Sequence, residues 1–165
     1  MIYYIFRHGE TYFTKNKIEY DPESRISAPI LKEGIPAIKR LGEFLKDKLK
    51  NTNYTSPYPR CVKTSEIITK ITGKKFTKDE RLSDEWMSEG KETFDEMVAR
   101  FQNFLLDIKK NNPSVVAICT HGWPISILTN LITKREMKPE WLANYILPGE
   151  LVIIKDGKVE TKSFR

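Results

Sequence analysis

The chain predicts an α/β fold: a three-layer α/β/α sandwich with a mostly parallel central sheet and an antiparallel edge hairpin. Three observations carry this. Two short apolar runs, residues 1–6 (MIYYIF) and 115–119 (VVAIC), read as strands buried on both faces, as in a parallel sheet. Between and after them lie segments with apolar residues at helical spacing. Near the end, Asp156-Gly157 joins two short runs, a type I′ hairpin signal. Strands that alternate with helices put helices on both faces of one sheet.

Each element follows in order. Residues 1–6 form a central strand that Arg7 interrupts. A polar, irregular stretch covers 12–29. Ile35, Ile38, Leu41, Leu45 and Leu49 then mark a helix; Pro36 belongs in its first turn, so it starts near residues 33–35. Residues 54–56 make a short strand. Pro59 opens a second helix with Val62, Ile67, Ile68 and Ile71 as its apolar face, and Gly73 stops it. A loop covers 73–90. Thr93 and Glu96 form a capping box for a third helix, whose stripe is Phe94, Met97, Val98, Phe101, Phe104, Leu105 and Ile108. Residues 115–120 are the second buried strand. Pro124 begins a helix carrying Ile125, Leu128, Leu131 and Ile132, and the hairpin strands are 151–155 and 158–162.

The 165 residues contain no repeat, low-complexity tract or linker, so 1–165 reads as one domain with room for a core. Hydrophobic content of 39% with 30% charged residues excludes a disordered chain. A net charge of +6, without a basic stretch interleaved with aromatics, reads as a solvated lysine-rich surface rather than a nucleic-acid or membrane partner site. The first apolar run is too short for a signal peptide or a membrane span, so a cytoplasmic protein is expected. Cys61 and Cys119 lack metal or redox spacing and read as reduced packing residues.

Both histidines follow an apolar run and precede glycine, in Arg7-His8-Gly9 and in Thr120-His121-Gly122. Ligands of open parallel sheets bind at the carboxyl ends of the strands. The repeated context therefore brings both imidazoles to one sheet edge. Arg7 can clamp a phosphate, a neutral imidazole beside it can attack phosphorus, and Gly9 admits a close approach. Alone, the tripeptide fits a surface arginine and a hydrogen-bonded histidine at a loop start better than a phosphate site. Ser56-Pro57-Tyr58-Pro59-Arg60 adds an arginine in the first turn of a helix, where backbone N–H groups favour anions. Leu82-Ser83-Asp84-Glu85 adds loop carboxylates, a proton source for a leaving oxygen.

Together these segments resemble the histidine phosphatase superfamily, also called the phosphoglycerate mutase-like family. Arg7-His8-Gly9-Glu10-Thr11 is similar to its signature, and Pro29-Ile30-Leu31-Lys32-Glu33-Gly34 to its Pro-Leu-Thr-x-x-Gly segment. Ser56-Pro57 through Arg60, with Thr64 following, looks like Ser-Pro-x-x-Arg-x-x-x-Thr. Leu82-Ser83-Asp84 fits the Leu-x-acid element, and His121-Gly122 the second histidine. The matches are collinear over nearly the whole chain.

The resemblance implies a phosphatase that hydrolyses phosphomonoesters in two steps, with no metal or other cofactor. His8 would be the nucleophile and carry a phosphohistidine. Arg7, Arg60 and His121 would hold the phosphoryl oxygens. Asp84 would protonate the leaving group and then activate water; Glu85, its neighbour, is the alternative donor. Thr14 stands where the family often has asparagine, so a contact there is left open. The substrate is a phosphorylated small molecule or a phosphoprotein. A short polar 12–29 segment predicts an open pocket, which favours hydrolysis over mutase-type phosphotransfer and admits a phosphoprotein, as in the phosphohistidine phosphatase branch. Two rival readings are a phosphate-binding module without turnover and a metal site built from Cys61, Cys119, His8 and His121. The arginines beside the histidines oppose the metal site.

Overall fold

Residues 1–84 and 90–165 are described by the structure, a computed structural model. Among them, one sheet holds β1 (Ile2–Arg7), β2 (Asn53–Thr55), β3 (Thr77–Lys78), β4 (Val115–Thr120), β5 (Glu150–Lys155) and β6 (Lys158–Ser163), in the order β3-β2-β4-β1-β5-β6. The pairs from β3 across to β1 are parallel; β5 runs antiparallel to β1, and β6 to β5. The helices are α1 (Tyr12–Asn16), α2 (Pro22–Ser27), α3 (Ile35–Leu45), α4 (Pro59–Thr72), α5 (Phe94–Lys110) and α6 (Gly122–Thr133).

The central strands are apolar on both faces because each face feeds a different core. Tyr3, Ile5, Val116 and Ile118 pack with Phe101 and Phe104 of α5 and Leu128 of α6. Tyr4, Phe6, Ala117 and Cys119 pack with Ile38 and Leu41 of α3 and Ile68 of α4. The alternation follows from the period of two along a strand. A Cβ on Gly42 would lie 2.8 Å from Ile71 Cδ1, so glycine there lets α3 and α4 approach closely. At the edge hairpin Asp156 and Gly157 have φ of 51° and 75°, as a type I′ turn requires. No helix among the described residues is long and apolar enough to cross a membrane.

Three expectations need correction. Residues 12–29 are not irregular: Thr11 caps α1 and Asp21 caps α2. Residues 73–90 are not all loop, since β3 adds a short edge strand and 80–82 form a 3-10 turn. The buried face of α4 is Arg60, Cys61, Thr64, Ser65 and Ile68, while Val62, Ile67 and Ile71 are only half-buried. Polar residues occupy that face because the first turns of α4 build a pocket rather than a core.

Candidate active site

Parallel pairing sets Arg7 opposite Thr120, so the residues after them, His8 and His121, leave adjacent strand ends. Their ring centroids lie 5.3 Å apart. The expected convergence of the two imidazoles is therefore present.

His8 is 1% exposed. Its Nδ1 lies 2.8 Å from the Gly9 carbonyl oxygen. A carbonyl can only accept, so Nδ1 carries the proton and a neutral ring bears its lone pair on Nε2. Burial, and then the Arg60 and Arg7 charges, push the His8 pKa well below its ordinary 6.5, which keeps the ring neutral. The Gly9 N–H donates to Thr64 Oγ1 (2.8 Å), whose hydroxyl donates to the Arg60 carbonyl (2.7 Å). One threonine thus ties the loop after β1 to the first turn of α4.

Arg60 is wholly buried (0% exposed). It donates from Nη1 to the Arg25 carbonyl, and its guanidinium lies 4.6 Å from the centroid of the Tyr20 ring. Its Nε and Nη2 have no hydrogen-bond partner among the described residues, and neither does Arg7 Nε. Arg7 donates from Nη1 to the Ile146 carbonyl at 3.2 Å and lies 5.1 Å from the Tyr145 ring centroid. Buried guanidinium N–H groups without partners are costly in an empty protein. An oxyanion would satisfy them.

His121 is the residue before α6, and its Nε2 lies 2.8 Å from Ser56 Oγ and 3.6 Å from Cys61 Sγ. Burial lowers its pKa well below 6.5, with Arg60 and His8 adding to the effect. Asp84 keeps a 14% exposed side chain, with Oδ2 3.9 Å from both Arg60 Nη2 and Arg25 Nη1. Burial raises its pKa; Arg60, Arg25 and Arg7 pull it partly back. Thr14 completes the cap of α1 by exchanging bonds with Thr11, and it also lines the pocket. Glu85 lies outside the described residues.

A pocket of about 340 Å³ is lined by Arg7, Arg25 and Asp84 of this group, and by Gly122, the residue after His121. Sequence reasoning missed Arg25 and Tyr20, which α2 and the turn before it carry to Arg60. Asp21-Pro22 is a helix-start signal that could have revealed α2. α1 and α2 stand at the pocket wall, with Thr14 and Arg25 among the lining residues. Among the described residues, no group of three His, Cys, Asp or Glu side chains is placed to hold a metal ion.

The family model for the histidine phosphatase superfamily (branch 1) matches residues 3–87 and 83–155. The chain belongs to the histidine phosphatase superfamily. Solved structures of similar fold include Bacillus stearothermophilus YhfR, with 19% identity and a TM-score of 0.73, covering 98% of this chain and 95% of that one. A putative alpha-ribazole-5'-P phosphatase of Escherichia coli aligns with 13% identity and a TM-score of 0.76, covering 99% of this chain and 96% of that one. The protein histidine phosphatase SixA, complexed with tungstate, has 15% identity and a TM-score of 0.66, covering 98% and 94%. Among curated proteins none matches the sequence.

Proposed function

We propose that this histidine phosphatase superfamily member hydrolyses phosphomonoesters through a phosphohistidine on His8. One observation carries the reading: the tautomer of His8, set by its 2.8 Å bond to the Gly9 carbonyl, leaves Nε2 as a lone-pair donor beside the unpartnered N–H groups of Arg7 and Arg60. The phosphoryl oxygens accept from those guanidinium groups and from His121, so charge that builds on them is met by fixed donors. In the first step Nε2 bonds to phosphorus while the ester P–O bond breaks, and protonated Asp84 gives its proton to the leaving oxygen. In the second step the Asp84 carboxylate takes a proton from water. The water oxygen bonds to phosphorus, the N–P bond breaks, and inorganic phosphate leaves. His8 and Asp84 return to their starting states.

The arginines supply the positive charge that a metal supplies elsewhere, so the proposed activity is metal-independent. The test is acid-free trapping of the enzyme during turnover of a labelled phosphomonoester, with and without a chelator. An acid-labile, base-stable phosphate on His8, release of inorganic phosphate, and loss of both in His8→Ala are expected. Turnover by His8→Ala, or activity that a chelator abolishes, would overturn the reading. Phosphate bound but never released from ester would leave a binding module. Transfer to a second alcohol in place of water would make the chain a phosphotransferase of the mutase type.

A further inference from the structure

The pocket lining carries exposed residues of both kinds, with Lys17 and Glu19 beside the apolar Ile18, Tyr145 and Leu147. Ile18 and Leu147, at the rim, are 47% and 46% exposed, and Tyr145 beside them is also exposed. Phe13, stacked against Tyr20 with centroids 4.5 Å apart, and Trp123 continue the same lining. Phe13 and Trp123 are half-buried, whereas Ile18, Tyr145 and Leu147 are exposed at one concavity, and such a grouping marks a ligand surface. The neutral hydroxyls at that wall are already engaged. Thr14 Oγ1 accepts from the Thr11 N–H at 2.8 Å, and the Tyr20 hydroxyl lies 2.6 Å from Thr11 Oγ1. Both are spent on capping α1, which leaves few neutral partners for the hydroxyls of a sugar. The cavity, at about 340 Å³, lies at the lower end of small-molecule sites.

We propose that the site takes small phosphomonoesters whose alcohol is a compact apolar or aromatic group, held between Ile18, Trp123, Tyr145 and Leu147. This rests on the phosphatase reading above. The phosphoryl group enters toward Arg7 and Arg60, and the apolar alcohol stays against the rim, where it displaces water from side chains that are otherwise exposed. Sugar and polyol phosphates place hydroxyls against the same surface without recovering their hydrogen bonds to water, which costs them affinity.

Benzyl phosphate and glycerol phosphate both release weakly acidic alcohols, so the ratio of their kcat/KM values reports how the alcohol binds rather than how easily it departs. Benzyl phosphate is expected to exceed glycerol phosphate by about tenfold or more, mainly through KM. The double variant Ile18→Ser, Leu147→Ser changes two exposed rim residues. It should lose most of that ratio, because kcat/KM for benzyl phosphate falls by about tenfold. A ratio near one, or a ratio that the double variant keeps, overturns the proposal. A phosphohistidine peptide hydrolysed faster than benzyl phosphate overturns it too, in favour of a protein substrate. In each of those cases phosphate release with label on His8 leaves the phosphatase reading standing. No release from any of the three compounds, with no label on His8, sinks both.

Discussion

His8 and Asp84 are displaced from their ordinary pKa values in opposite directions by the same cause, burial. Burial disfavours the charged form of each, which favours a neutral imidazole at His8 and a protonated carboxyl at Asp84, the two states the proposed mechanism needs. The consequence for rate has a definite sign. His8 must be neutral, and its lowered pKa puts the acid limb of kcat/KM below pH 6.5. Asp84 must be protonated to donate, so the rate falls as pH rises through its raised value. Arg25 pulls that value down; Arg25→Met should therefore move the alkaline limb to higher pH, as a pH–rate profile would record. Asp84→Asn should slow alkyl phosphates by about 10²–10⁴-fold and leave a nitrophenyl ester far less affected, because nitrophenolate departs without a proton. Glu85→Gln should do little, since Asp84 is the carboxylate that faces Arg60 and Arg25. If the two variants exchange behaviour, Glu85 is the donor.

At the scale of elements, α1 and α2 decide how the pocket wall is held. Each is shorter than two turns and gains little from its own hydrogen bonds. Capping by Thr11 and Asp21 and the Phe13–Tyr20 stack hold them in place. Thr11→Ala removes the α1 cap and the tether of Tyr20 together. Urea unfolding should register a loss of about 1 kcal/mol, and KM should rise several-fold with kcat less affected. These helices were hidden in the sequence for the same reason: five or six residues cannot display a helical period, and neither helix buries a residue of its own. On α4 hydrophobicity does not mark the inward side, so its apolar spacing points to the wrong face. Thr64 and Arg60, one turn apart, face inward to serve Gly9 and the pocket. His8 and His121 were legible because strand, histidine and glycine occur together twice, and parallel pairing converts that likeness in sequence into nearness in space.

For the whole molecule, the buried histidines link stability to pH. Both have folded-state pKa values below 6.5. Between the folded and unfolded values the unfolded chain binds more protons, so stability is fully present above pH 6.5 and is lost as pH falls through the folded values. Asp84 acts in the reverse sense: its raised pKa favours the folded state at low pH and costs stability as pH rises through that value. Thermal melts at falling pH should lose Tm from 6.5 downward. The loss should be shallower in His121→Asn, and an equal slope would rule this linkage out. The sheet order carries a different consequence. Ile2 pairs with Val115 on one side and with Lys155 on the other, so the strand that leads to His8 is made well before either of its neighbours. Such non-local closure is slow. As the chain emerges, the apolar run before His8 waits without a strand partner, and the two histidines can meet only once β4 has been made.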